Sequence, residues 1–500
     1  MGKSKTLLLS CVAGIATASG VQAADLPVKA KPVQYVKICS LYGDGWYYIP
    51  GSDTCIRFGG YIRADYGWNA GGSTSAGSGI APGTSVTVTD GLRNRSSASY
   101  STAHRAEFTV DTRTQTQYGV LRTYMDLRIE NRIGGDITQA TRAFIQWTGF
   151  TFGRSRSFFD IFTHDQRLSY LNVRTTGDTN DLGINLAAYT VQVAPGLTFS
   201  ISAEDPNRQP VVPGVADGTT AAFGAGAAVT LDTHGVSHPD IIGNLRYEQS
   251  WGYLGVSGAA HANRGLYYGT PNVSSNNHPP DKWGWAGAVG GEIYLPWGDR
   301  IGANYVYSAG ASAYATRSGS WQLYGSNSVG VGWLVDGIFD STAGNTNIEL
   351  TRVWSINAAY QRRWSPNWAT SVYGGYVDVS YNNAAKTIIN RHLPGAAGTN
   401  VCGVPVSGAV WPPITLPAGG AGNSCSPDFS FMQVGSRTQW TPVHGLEIGV
   451  DVFYTKLFTA YKGSSANIYP SNATRPTVST IADTDVWSGI FRVQRTFLAE

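Results

Sequence analysis

The sequence predicts an all-β fold, a transmembrane antiparallel barrel of about sixteen strands. Three observations point there. Segments of roughly nine to fourteen residues alternate apolar and polar side chains, the period of a strand with two unlike faces. Very short connections alternate with long ones rich in Gly, Ser, Asn and Thr. Beyond the first two dozen residues no stretch of about 18 residues is continuously apolar, which excludes a helical span. Composition agrees: of 500 residues only 14% are charged, while 42% are hydrophobic and 12% aromatic, with 61 Gly, 15 Trp and 27 Tyr. A disordered chain needs few aromatics and a high net charge, whereas the formal charge here is +3.

The N-terminus reads as an export signal over residues 1–23. Lys3 and Lys5 form a basic start, Leu7 to Ala18 an apolar run, and Val21-Gln22-Ala23 a small-residue cleavage site. Its removal takes away two of the 36 basic residues and no acid, so the remaining chain is nearly neutral and carries no nucleic-acid footprint. Residues 24–54 precede the first strand. Pro27, Pro32 and three lysines suggest an extended arm on the periplasmic side, from which the first strand must rise. That placement is compatible with contact to peptidoglycan.

The strands follow, spanning 55–497. Ile56, Phe58, Ile62, Ala64, Tyr66 and Trp68 alternate with Arg57, Tyr61, Arg63 and Asp65. Leu121, Thr123, Met125, Leu127 and Ile129 alternate with Arg122, Tyr124, Asp126, Arg128 and Glu130. Leu446, Ile448, Val450 and Val452 oppose Glu447, Gly449 and Asp451; Trp487, Phe491, Val493 and Phe497 oppose Ser488, Arg492, Gln494 and Thr496. The stretches Arg300 to Ser308 and Arg352 to Gln361 obey the rule less cleanly. Short joins fall at 114–117, 149, 194–196, 296–298, 364–367 and 441–445, and long loops at about 69–99, 156–181, 206–239, 263–281, 309–348, 382–427 and 458–483.

Hydrocarbon cannot satisfy backbone N–H and C=O groups, so strands cross it only as a closed sheet. Charges then face inward, and a sixteen-stranded barrel is too wide for side chains to fill, so they line water. Tyr and Trp belong at the two interfaces. The rival class is a secreted soluble β protein, with two carboxylates serving glycoside hydrolysis. Against it stand the absence of a blade-length repeat and the two unlike ends.

Four cysteines follow the signal: Cys39, Cys55, Cys402 and Cys425. An exported chain favours disulfides, and proximity favours Cys39 with Cys55 and Cys402 with Cys425 among three connectivities. No pair has metal-ligand spacing, and His234 and His238 sit in a Gly-rich loop rather than on a helix, so no metal is expected. Asp178-Thr179-Asn180-Asp181 imitates a calcium loop, but Tyr189 stands where the closing Glu belongs. Gly224-Ala225-Gly226 lacks a nucleotide-loop context. No cofactor and no catalytic residue is expected.

Several segments resemble the alphaproteobacterial porins. They are Tyr35 to Cys39, Tyr48 to Gly51, Cys55 and Gly59 to Arg63; Arg142 to Trp147 with Gly149 to Arg154 and Ser157 to Asp160; Pro239 to Arg246; and Phe491 to Phe497. The resemblance implies a homotrimer in the outer membrane of a Gram-negative cell, among lipid and lipopolysaccharide, passing small hydrophilic solutes and ions by diffusion. It also implies that the third external loop, about 156–181, folds inward as a constriction, and that Phe497 is the aromatic signal read by the barrel-assembly machinery. The chain departs from the family in its tail, residues 498–500, beyond that aromatic.

The expected constriction loop carries Asp160, His164, Asp165, Arg167, Arg174, Asp178 and Asp181. Strand parity turns Arg57, Arg63, Arg105, Arg122, Arg128 and Arg142 inward to face it. A basic wall opposite acidic loop groups would set a transverse field across the pore; the alternative is that these charges pair and hold the loop. Phe144 shares the inward parity of Arg142, a warning about register. Phe58, Trp68, Trp487 and Phe491 fall on the lipid face, which favours a general pore over a channel for sugars or oligosaccharides lined by an aromatic ladder.

Overall fold

The computed structural model describes residues 37–68, 100–132, 135–162, 168–170, 173, 175–179, 182–208, 215–217, 235–269, 274–317, 320–324, 328–340, 346–392, 426–463, 465–467 and 478–497. Sixteen strands form one closed antiparallel ring. They are β1 Thr54–Trp68, β2 Tyr100–Thr116, β3 Gly119–Arg132, β4 Gly135–Trp147, β5 Phe150–Ser155, β6 Ile184–Ala194, β7 Leu197–Glu204 and β8 Asp240–Gln249. β9 Gly252–Asn263, β10 Lys282–Tyr294, β11 Arg300–Ala309, β12 Arg352–Ser365, β13 Trp368–Ser380, β14 Phe429–Val443, β15 Leu446–Phe458 and β16 Thr484–Phe497 complete it. Each strand pairs with its sequence neighbour, and β16 returns to β1 from Gly60 opposite Phe497 to Trp68 opposite Gly489. Closure leaves no open edge, as a bilayer requires.

The two ends differ as expected. One end carries joins of two to five residues, at 117–118, 148–149, 195–196, 250–251, 295–299, 366–367 and 444–445. The other carries eight connections, L1 69–99, L2 133–134, L3 156–183, L4 205–239, L5 264–281, L6 310–351, L7 381–428 and L8 459–483. L2 breaks the sequence-level rule that connections at this end are long.

Outward positions form the apolar band. Phe58, Ile62, Phe108, Met125, Ile129, Ile145, Val256, Val289 and Ile356 are among its exposed side chains. Exposed Trp147, Trp251, Trp297, Trp364, Trp368 and Trp440 gather at the short-turn rim, and Trp68, Trp283, Trp285 and Trp487 toward the long-loop rim. These are the two interface belts.

The lumen is not uniformly open. Toward the long-loop end, inward positions on β8–β16 are apolar: Ile242, Ala259, Ala286, Val306, Val353, Val377, Val379, Phe431, Leu457 and Val486. They form one core with L6 residues Tyr314, Trp321, Trp333, Val335 and Ile338, with Tyr381, Ala385 and Ile389 of L7, and with Ala460, Tyr461 and Ile481 of L8. Backbone pairing reinforces this cap. Segments 320–324, 328–333, 465–467 and 478–481 make one small sheet, and 337–339 pairs with 349–350 and 215–217. A ten-residue helix in L7, α1 Asn383–His392, starts where Asn382 Oδ1 accepts the Ala385 N–H at 2.8 Å.

At the short-turn end Cys39 and Cys55 form a disulfide, pinning the preceding segment inside the rim. Trp46 is 1% exposed there, beneath the guanidiniums of Arg57 and Arg113 at 5.3 and 4.6 Å. Cys402 and Cys425, residues 1–36 and the tail 498–500 lie outside the described residues.

Candidate functional site: a charged wall facing an inward loop

Antiparallel register stacks the inward side chains of β1–β4 into rows. Nearest the short turns come Cys55, Arg113, Arg122 and Gln146, then Arg57, Asp111, Tyr124 and Phe144. Above them lie Gly59, Thr109, Asp126 and Arg142, then Tyr61, Glu107, Arg128 and Gln139, then Arg63, Arg105 and Glu130. Cations and acids therefore intermingle on this face, with Arg113 beside Arg122 and Arg63 beside Arg105. Arg122 forks onto Asp111 at 2.9 and 3.0 Å, and Arg105 grips Glu130 at 2.5 and 2.6 Å. Arg492 of β16 forks onto Asp65 at 2.6 and 2.9 Å, with Arg63 Nε 3.3 Å from the same carboxylate. Such bidentate pairs hold a guanidinium in one orientation.

L3 lies against the opposite arc. Ile161 rests on Gly255 of β9 and Phe162 on Gly302 of β11, where any Cβ would collide with the ring. The Ser371 hydroxyl donates to the Leu168 carbonyl. Thr175 and Asn357 exchange hydrogen bonds of 2.5 and 2.7 Å. Tyr170 is the farthest anchor: its N–H reaches Asp451 at 2.7 Å, its hydroxyl reaches Glu447 at 2.5 Å, and Arg492 and Arg437 lie over its ring at 4.5 and 5.0 Å. Between L3 and the β2–β5 wall, a cavity of about 530 Å³ opens at the short-turn end, lined by Tyr42, Arg113, Arg122, Gln146, Thr151 and Phe158 among others.

A family profile described as "Porin subfamily" matches residues 25–490. The chain belongs to the porin subfamily. Its sequence relatives include Porin Omp2b of Brucella abortus (strain 2308), 29% identical over 268 residues that make up 50% of this chain and 64% of that protein. Porin Omp2b of Brucella suis biovar 1 (strain 1330) is 29% identical over 267 residues, with the same coverage. This porin thus spans less than two thirds of the length of those relatives. Its fold is similar to that of the outer membrane channel DcaP of Acinetobacter baumannii, with a TM-score of 0.57 at 12% identity, covering 90% of this chain and 99% of the other. A closed barrel of this family places the protein in the Gram-negative outer membrane.

The six wall arginines expected from parity all fall on inward rows. Arg142 donates to the Thr141 carbonyl at 2.7 Å, beside a bulge at which β4 gains one residue between the partners of Asp126 and Leu127. Phe144 is inward without any slip. Its ring stacks on Tyr124 at 5.3 Å, and the Arg122 guanidinium lies over both. Asp165, Arg167, Arg174 and Asp181, with His164, lie outside the described residues.

Asp160 and Asp178 do not meet the expectation of acids set across from the wall. Asp160 binds Arg208 of L4 at 2.9 Å and accepts the Thr179 N–H and hydroxyl at 2.7 and 2.5 Å. Asp178 faces Arg317 of L6 at 3.8 Å, and burial pushes its carboxyl up to about 6 against the pull of that arginine. Burial acts to lower Arg208, yet Asp160, Tyr314 and Glu204 overcome it and hold the guanidinium above its ordinary range. L6 is hooked to the rim in a similar way. Asp336 accepts the Ser312 N–H and hydroxyl at 2.6 Å each, Tyr314 donates to Asp240 at 2.6 Å, and His261 Nδ1 lies 2.8 Å from Asp240.

Parity could also have yielded Arg113 and Arg492, and the acids Asp65, Glu107, Asp111, Asp126 and Glu130. All share strands and faces with residues the sequence reading did single out, or with its inward rows. The roles of Arg208 and Arg317 carry no sequence signal, because they depend on how long loops cross the lumen.

Proposed function

We propose that this porin forms a water-filled channel through which small hydrophilic solutes and ions diffuse passively. The observation that carries this is the pairing of a closed sixteen-stranded ring with a charged inward wall on β1–β4 that L3 faces across the lumen. Buried charge without water would be prohibitive in a bilayer; a wet channel makes it affordable. L3 and the L6–L8 cap occupy the β8–β16 side, so the water path runs beside β1–β5. Among the described side chains the wall has seven inward arginines, Arg57, Arg63, Arg105, Arg113, Arg122, Arg128 and Arg142, against five acids, which favours anions weakly.

In the same reading residues 1–23 direct export, 24–54 form a periplasmic arm, Phe497 is the assembly signal, and the chain works as a homotrimer embedded in lipid and lipopolysaccharide. No residue is assigned a catalytic role. Planar-bilayer recording of the folded protein tests this. Stable conductance steps in threes, with a small anion-favouring reversal potential under a salt gradient, are expected. Folded protein that never conducts would overturn it.

A further inference from the structure

The cavity beneath L3 has a chemistry more specific than a water path needs. Its volume, about 530 Å³, suits a small organic molecule. Arg113 and Arg122 have side chains that are each 29% exposed, while that of Asp111, the carboxylate they share, is only 3% exposed. A solute in the cavity therefore meets the cations and not the anion that positions them. A guanidinium has five N–H donors. Arg122 commits three, two to Asp111 and one to Gln146 at 3.0 Å, and Arg113 commits one to Asp111 at 3.3 Å. Aromatic faces fix both groups: Tyr42 lies 5.1 Å from Arg113, and Tyr124 5.3 Å from Arg122. The rest of the lining includes the apolar bodies of Val120 and Phe158, the latter contributed by L3 itself.

We infer that this periplasmic vestibule is a binding site for small monocarboxylates with an apolar body, the carboxylate bridging Arg113 and Arg122 and the body lying against Phe158 and Val120. The inference rests on the channel reading for the solute's route, but not for its binding. Asp111 neutralises part of the positive charge that the ligand meets. Its removal should strengthen binding, an effect opposite to that of a purely structural loss.

Saturation-transfer NMR and calorimetry on the folded, detergent-solubilised full chain test it with benzoate, against acetate, benzyl alcohol and benzylammonium. Benzoate is expected to bind at least about tenfold more tightly than each of the other three, and Arg113→Gln with Arg122→Gln to weaken it by about tenfold. Asp111→Asn is expected to tighten it, and Phe158→Ala to weaken it by about threefold. Should the double variant fail to fold, Asp111→Asn and Phe158→Ala decide. Equal binding of benzylammonium, an unaffected double variant, or weaker binding in Asp111→Asn would overturn the site. A chain that binds benzoate but never conducts would refute the channel and leave the site standing; one that conducts without binding benzoate would do the reverse.

Discussion

The inward faces of β1–β4 and of the outer halves of β8–β16 belong to the same closed sheet and obey opposite rules. Among the described side chains the first carries seven arginines and five acids. The second carries Ile242, Val306, Val353, Val377, Phe431 and Leu457, at most 1% exposed. Ion pairs and hydrogen bonds satisfy the first, where Arg63, Arg105, Arg128, Asp65, Asp111 and Glu130 are themselves at most 6% exposed, whereas the second must be covered by apolar groups, and loops L3, L6, L7 and L8 cover it. A wide barrel therefore need not be a uniform pore. The polarity of each arc of the wall decides where loops settle and where water stays.

The largest effect should come from spoiling the cover. Val335 of L6 is fully buried in the cap. Val335→Asp places a carboxylate among apolar groups, at a cost of roughly 3 kcal/mol or more. The ring, held by its own hydrogen bonds, should survive while L6 is released. Larger conductance and new protease cleavage within 310–351, with heat-modifiable gel migration retained, is the expected result; unchanged conductance would mean the cap does not restrict flow.

Next comes the tip of L3. Tyr170→Ala removes the hydroxyl bond to Glu447 and the ring between Arg437 and Arg492, a loss of about 3 kcal/mol for a buried aromatic. Single-channel records should become noisier and the size limit for uncharged sugars should rise. Gly302→Val, which displaces Phe162 from its seat, should act in the same direction.

The same contrast explains what was legible in the sequence. On β1 and β3, clean alternation marked both faces, because one met lipid and the other a charged lumen wall. Over Arg300 to Ser308 and Arg352 to Gln361 it blurred, since Val306 and Val353 point inward yet are apolar. The blur reports a covered lumen rather than a poor strand. Trp333 and Val335 were unreadable for another reason: they lie in a Gly- and Ser-rich connection whose local pattern is that of a loop, and only long-range packing buries them. Likewise Asp160 and Asp178 were visible as acids, but their partners Arg208 and Arg317 come from other loops. The pairing of Cys39 with Cys55 was readable from proximity alone.

The wall side is sharpened by selectivity. Arg63→Gln with Arg105→Gln leaves five described inward arginines against five acids on β1–β4, so the anion preference should vanish and the reversal potential shift toward cations. Arg208→Gln, on the loop-covered side, should loosen L3 without that shift. The difference should be plain at 0.1 M salt and shrink at 1 M, as the screening length falls from about 10 to about 3 Å. An equal shift from Arg208→Gln would erase the distinction between the two arcs.

The smallest effect is a pH dependence confined to the covered side. Burial raises Asp178 from 3.8 to about 6, with Arg317 opposing and Asp160 adding to the rise. A carboxyl raised on folding contributes its stability in the protonated form, so the L3–L6 contact is firmest below about pH 4 and weakens as pH climbs through 6. The change should not exceed about 3 kcal/mol, the equivalent of a rise from 3.8 to about 6 that already includes the opposing pull of Arg317. Wild-type protein should then be cut more readily within L3 or L6 at pH 7 than at pH 4.5, measured with a protease active at both. Asp178→Asn should remove that difference and match the acid behaviour at neutral pH. Loosening in acid instead would reverse the sign and show that the ionised Asp178–Arg317 pair, not the neutral acid, holds the two loops together.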